Sequence, residues 1–155
     1  VETMAVVGPF LANGTKLQVE TTPGGGTYSD IALAVDFSGP ASEAAEIDVT
    51  TLDDVTGRKY LPGLPDRGDL SVSFLWDPEN TFHKQFFTDQ VASPPTIRSY
   101  RLLWPVSVGG SGTDKYTTTF NAFVKTANRA GGVDAPVNLS VALRITGAVV
   151  EASLP

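Results

Sequence analysis

The sequence contains no cysteine, one histidine (His83) and one methionine (Met4), and each shortage removes a class of chemistry. Without cysteine there is no thiol nucleophile, iron–sulfur cluster, Cys-ligated zinc or disulfide. With one histidine, a His-rich metal site is impossible, and a histidine triad could be built only around His83. Long apolar runs are missing too. The most apolar stretch, Leu102 to Val108, is interrupted by Pro105 and Ser107, far short of the ~18 residues that span a bilayer. Val1 to Phe10 have no basic region and too short an apolar run for a secretory signal. Met4 is read as the natural start, with Val1 to Thr3 set aside.

Basic residues are scarce in the first part of the chain. Up to Gly57 nine acids face one base, Lys16, whereas from Arg58 onward ten bases face eight acids, for a net charge of −6. An acidic chain without a basic stripe is a poor nucleic-acid binder, because duplex affinity comes mainly from cations displacing phosphate counterions. The same asymmetry gives a self-associating protein a negative surface and a positive one.

With 155 residues, 41% of them hydrophobic, the chain can bury on the order of 70% of its unfolded surface. One core then suffices, and a single domain over residues 4–155 is expected. Its hydrophobic pattern alternates with period two, as in strands with one buried face. Ile31, Leu33, Val35 and Phe37 alternate with small or polar residues, as do Leu70, Val72, Phe74 and Trp76. Tyr100, Leu102 and Trp104 repeat the pattern, followed by Thr118, Phe120, Ala122 and Val124, and then by Val137, Leu139, Val141, Leu143 and Ile145. With shorter candidates at Lys16 to Glu20 and Glu46 to Thr50, about seven strands are predicted. Turns fall at Thr22 to Gly26, Gly39-Pro40 and Gly109 to Gly112. The fold class is mainly β: a β-sandwich or barrel flanked by one α-helix, with a long loop between strands.

The helix is predicted from Pro78 to about Ala92, with Asp77 as N-cap and Phe82, Phe86, Phe87 and Val91 on the side that covers the sandwich. His83 lies on it and is read as an ordinary exposed or half-buried residue. The loop is Thr50 to Arg67, polar in its middle and apolar in Tyr60-Leu61-Pro62-Gly63-Leu64-Pro65. Compact domains rarely keep so long a loop without a function, and its apolar end is expected to dock on another chain.

Catalytic and ligand motifs are weak. Asp48, Asp53, Asp54, Asp66 and Asp69 lack the ligand spacing of an EF-hand. Gly24-Gly25-Gly26 precedes no Lys-Ser or Lys-Thr and opens no helix. Arg67-Gly68-Asp69 spells an integrin-binding tripeptide and is read as a turn entering a strand. Asn13-Gly14-Thr15 and Asn138-Leu139-Ser140 are glycosylation sequons only in form. No nucleophile–base pair, paired carboxylate or metal cluster remains, so no enzyme, cofactor or metal is expected.

Ala44-Ala45-Glu46-Ile47-Asp48-Val49-Thr50-Thr51-Leu52-Asp53, then Tyr60-Leu61-Pro62-Gly63-Leu64-Pro65-Asp66, then Gly68-Asp69-Leu70-Ser71-Val72 and Trp76-Asp77-Pro78 resemble the major tail tube proteins of long, non-contractile-tailed bacteriophages. The likeness covers residues 29–90 well and the rest in strand pattern only. It implies a structural subunit of the virion tail, assembled in the host bacterial cytoplasm into sixfold rings that stack as a hollow conduit for double-stranded DNA. The implied partners are further copies of the chain, a tape measure protein, a tail terminator and baseplate or tail-tip proteins, with no membrane. The immunoglobulin-like C-terminal domain of many members is expected to be absent.

The resemblance gives the long loop a ring-stacking role, assigned to Thr50, Thr51, Leu52, Asp53, Asp54, Lys59, Tyr60, Leu61, Pro62 and Leu64. Val6, Val7, Phe10 and Leu11 are expected to form an N-terminal arm on a neighbour. Six copies giving about four strands each would close a barrel of about 24 strands, roughly 40 to 50 Å across at ~4.8 Å per strand. Its wall should be acidic or neutral so that DNA slides freely. Ala32, Ala34, Asp36, Asp69, Ser71 and Ser73 are candidates for that wall, the alternative being that they face bulk solvent outside. A competing reading is a monomeric β-sandwich adhesin or ligand-binding module.

Overall fold

A computed structural model describes residues 11–108 and 114–154. The strands are β1 (Lys16–Glu20), β2 (Tyr28–Asp30), β3 (Ala34–Ser38), β4 (Glu43–Asp48), β5 (Tyr60–Asp66) and β6 (Asp69–Leu75), followed by helix α1 (Thr81–Gln90) and strands β7 (Arg98–Val108), β8 (Asp114–Gly132) and β9 (Ala135–Leu154). Seven of them form one antiparallel sheet in the order β2-β1-β7-β8-β9-β6-β3, and β4 and β5 pair separately. The fold is mainly β with one helix, as expected, and the described strands number nine. The predicted Gly109–Gly112 turn lies outside the described residues.

The sheet doubles over to enclose its own core. β8 and β9 are long enough to belong to both layers. They bend where Phe120 faces Val149 but Asn121 faces Thr146, two residues being looped out at Gly147, whose φ of +79° suits glycine. The other closure is a corner. Residues 28–38 leave β1 and join β6, with Ile31 N donating to Leu17 O and Leu75 N donating to Leu33 O, both at 2.9 Å. Leu33 sits at φ +68°, a conformation that costs a non-glycine residue roughly 1–2 kcal/mol. The bonds to both layers hold it there.

This corner corrects the predicted continuous strand over Ile31 to Phe37. Ile31 is buried and Phe37 half-buried, but Leu33 and Val35 are exposed, because the chain changes partners midway. The other alternations hold in the core: Leu70, Val72 and Phe74; Tyr100 and Leu102; Phe120, Ala122 and Val124; Leu139, Val141, Leu143 and Ile145 are all buried, whereas Val137 at the start of the last run is exposed. Phe37 meets the Trp104 ring edge-on across the fold at 5.5 Å.

The helix starts later than expected, with Asn80 rather than Asp77 as its cap: the Asn80 side chain accepts from Phe82 N and His83 N. Asp77 is engaged otherwise, its carboxylate accepting from Glu79 N at 3.0 Å and its own N–H donating to His83 Nδ1 at 3.2 Å. His83 is wholly buried, not half-exposed, and Nε2 donates to Ala32 O at 2.9 Å, tying helix to corner. Phe86 packs on Phe74 and Phe87 on Trp76, whereas Val91 is exposed. The far end of α1 is fixed by buried Asp89, which accepts from Arg98 Nε at 2.5 Å and Nη2 at 3.0 Å. This carboxylate raises the pKa of the Arg98 guanidinium.

Candidate functional site

The long loop expected between strands is largely a second hairpin. β4 and β5 pair as Glu43↔Asp66, Ala44↔Pro65, Glu46↔Pro62, Ile47↔Leu61 and Asp48↔Tyr60, and the shorter predicted strand at Glu46 to Thr50 is displaced toward the N-terminus. All six residues of β4 and all but Gly63 of β5 are exposed. Pro62 and Pro65 fit because a two-stranded ribbon leaves each strand one edge where no N–H is required. Gly63 sits at a bulge, where an added Cβ would come within 3.0 Å of the Ala45 Cβ.

The register places Ile47, Val49 and Leu61 on one face of the ribbon and Tyr60, Glu46 and Asp48 on the other, while Leu64 lies in the bulge opposite Ala45. Leu64 is 90% exposed, and at the tip Leu52 and Val55 are 104% and 91% exposed. An apolar patch of this kind, standing free of the core, marks an interaction surface.

The assigned ring-stacking residues divide into two groups. Thr50, Thr51, Asp54 and Lys59 bind one another: Lys59 N donates to Thr50 Oγ1, Thr51 N and Oγ1 donate to the Asp54 carboxylate, and Lys59 Nζ pairs with that carboxylate. These contacts hold the Asp54 pKa below the ordinary carboxylate value, Lys59 first and the Thr51 N–H next. Leu52, Tyr60, Leu61, Pro62 and Leu64 project, and so does Asp53. Ile47, Val49 and Val55 were missed; their signal was an apolar residue in an otherwise polar segment. Of the N-terminal arm, Val6, Val7 and Phe10 lie outside the described residues, and Leu11 is 83% exposed.

The candidate wall residues do not all share a face. Asp36 opposes Ser73 and Ser38 opposes Ser71, but a bulge sets Ala34 opposite Phe74. Ala32 lies in the corner, where its carbonyl holds His83. Asp69, Ser71 and Ser73 alternate with buried Leu70, Val72 and Phe74, so they share the outward face with Asp36. Two cations adjoin it: Lys125 binds Asp69 at 2.9 Å, and Arg144 binds Asp69 at 3.2 Å. Arg67-Gly68-Asp69 is the connector from β5 to β6, half-buried with its carboxylate so engaged, rather than a displayed tip.

Among the described residues, no cluster of three or more His, Cys, Asp or Glu could hold a metal ion, and no helix is long and apolar enough to cross a membrane.

A family model described as "Phage tail tube, TTP, lambda-like" matches residues 9–153. No curated protein matches the sequence. Solved structures share the fold. The tail of an empty GTA particle, refined with C6 symmetry, aligns at TM-score 0.67 and 18% identity over 88% of this chain and 94% of that one. The SPP1 tail tube aligns at 0.67 and 14% over 94% and 80%. The sheath–tube complex of an extracellular contractile injection system in its extended state aligns at 0.70 and 14% over 97% and 95%.

Proposed function

We propose that this chain, which belongs to the lambda-like phage tail tube family and is thus a structural subunit of a tail tube, assembles as sixfold rings stacked through the β4–β5 hairpin. The observation that carries this reading is the hairpin itself, with Leu52, Val55, Leu61 and Leu64 left in water by an isolated subunit. The C6 symmetry of the GTA tail supports the ring. Leu11 and the arm formed by Val6, Val7 and Phe10 pack on a neighbouring copy. The tube delivers double-stranded DNA from the virion into the host and performs no catalysis. It assembles in the host cytoplasm with a tape measure protein, a terminator and tail-tip or baseplate proteins.

The face bearing Asp36, Asp69, Ser71 and Ser73 lines the lumen. Its cations do not make it sticky, because Lys125 and Arg144 are already tied to carboxylates, which keeps the wall neutral to acidic. Asp36→Lys is the cleaner lumen test, since Asp69 also anchors those two cations. It should leave assembly intact and slow DNA ejection most at low salt; unchanged ejection at every salt concentration would remove this face from the lumen.

The stacking reading is tested by Leu61→Asp. The substitution should give a folded subunit that forms no tubes by negative-stain microscopy. Tubes of normal length would refute the hairpin's role, and image averages without sixfold symmetry would refute the ring.

A further inference from the structure

The hairpin leaves the body through two closely apposed backbone segments. A Cβ on Gly68, at φ +66°, would lie 2.5 Å from Ala41 O, and one on Gly39, at φ +105°, would lie 2.6 Å from Asp69 O. Beside this crossing, Arg144 on β9 sends Nη2 to both Asp66 carboxylate oxygens at 2.8 Å and Nη1 to Asp69 at 3.2 Å, while Lys125 on β8 takes the other Asp69 oxygen. Asp66 ends β5 and Asp69 begins β6, so one guanidinium spans the connector. The main chain adds Gly68 N to Asp66 Oδ1 at 2.9 Å and Ile145 N to Gly68 O at 3.1 Å. Among the described residues, the side-chain bonds and ion pairs of 43–65 stay within the hairpin and its tip.

Exposed ion pairs add little to stability, but a two-pronged arginine within a network fixes direction. Direction matters for an arm of roughly 25 Å, six or seven residues at ~3.3 Å each with the tip loop added. A rock of about 10° at its base moves the tip by about 4 Å, beyond the range of van der Waals contact. We propose that Arg144 is a positioning residue for ring stacking: by clamping Asp66 and Asp69 it sets the angle at which the hairpin leaves the body, and with it the register in which a second copy is met. The inference rests on the stacking role given to the hairpin. The Asp66 and Asp69 carboxyls are held below their ordinary pKa and the guanidinium above its own, as mutual engagement requires.

Because the chain lacks cysteine, spin labels can be placed uniquely at Thr56→Cys on the hairpin tip and Val91→Cys after α1. In the unassembled subunit the label-to-label distance distribution should be narrow. Arg144→Gln and Asp66→Asn should at least double its width and raise the protein concentration needed for tubes about tenfold. Arg144→Lys, which keeps the charge without the fork, should fall between. Circular dichroism checks each fold, and Asp66→Asn decides the matter if Arg144→Gln fails to fold. Unchanged widths in the charge-removing variants would overturn the proposal, as would normal tube formation despite broadened distances. A parent chain that forms no tubes sinks the stacking reading instead, and the widths still judge the clamp.

Discussion

β5 and β6 are each seven residues long and two residues apart, yet their surroundings are opposite. β6 buries Leu70, Val72 and Phe74 between β3 and β9, whereas β5 leaves Tyr60, Leu61 and Leu64 exposed and pairs only with β4. Both are rich in apolar residues, so composition does not separate them. What differs is whether the chain itself supplies the covering layer. β6 is finished by the fold, and β5 presents the surface that the proposed stacking would cover with a second copy.

The strongest way to break the comparison is Phe74→Ala. Phe74 is completely buried against His83 and Phe86, and its loss should cost about 3–5 kcal/mol of stability. Chemical denaturation measures this, and a cost under about 1 kcal/mol would mean that β6 is not the core strand it looks to be. Hydrogen exchange compares the strands directly. Amides of β4 and β5 should exchange readily in the free subunit and slow by about a hundredfold in tubes, while those of β6 and β9 change little; equal protection of β5 in the free subunit would erase the distinction.

Gly68→Ala probes the boundary between the two. Its left-handed φ costs alanine roughly 1–2 kcal/mol, and the clash with Ala41 O should displace the hairpin before it disturbs the core. Labels on the tip should therefore shift while core exchange is unchanged. The smallest effect is that of acid. Asp66 and Asp69 have lowered pKa values, through the Gly68 N–H and Arg144 for the first and Lys125 and Arg144 for the second. Their contribution is present above the ordinary carboxylate value of 3.8 and is lost as pH falls through the lowered values. The hairpin angle should hold at pH 5 and loosen only below about 3.8; loosening at pH 5 would contradict the clamp.

How far these features could be read in the sequence follows the same division. Alternation located β6 and the cores of β7, β8 and β9 because each has one buried face. It ran a single strand through Leu33, where the chain turns to join β6, since nothing local marks a leucine that will adopt a positive φ. It left Tyr60 to Asp66 a loop because its prolines resemble loop chemistry and neither face is buried. His83 was underrated because its partners, Asp77 N and Ala32 O, are backbone atoms that a side-chain motif cannot reveal. Arg144 gave no signal, being 78 residues from Asp66. The apolar residues of the hairpin were legible, and the clamp behind them was not.

If the hairpin docks as proposed, the bonds among Thr50, Thr51, Asp54 and Lys59 bear on the rate of growth as well as on shape. A disordered tip would have to lose backbone freedom worth roughly 1–2 kcal/mol per residue at each docking event. A tip already folded in the free subunit loses little on docking. Under the proposed stacking, Leu52 and Val55 would then arrive in a binding-ready arrangement, and the addition of a subunit would be limited by how often copies meet in the right orientation rather than by how long a loop takes to find its shape.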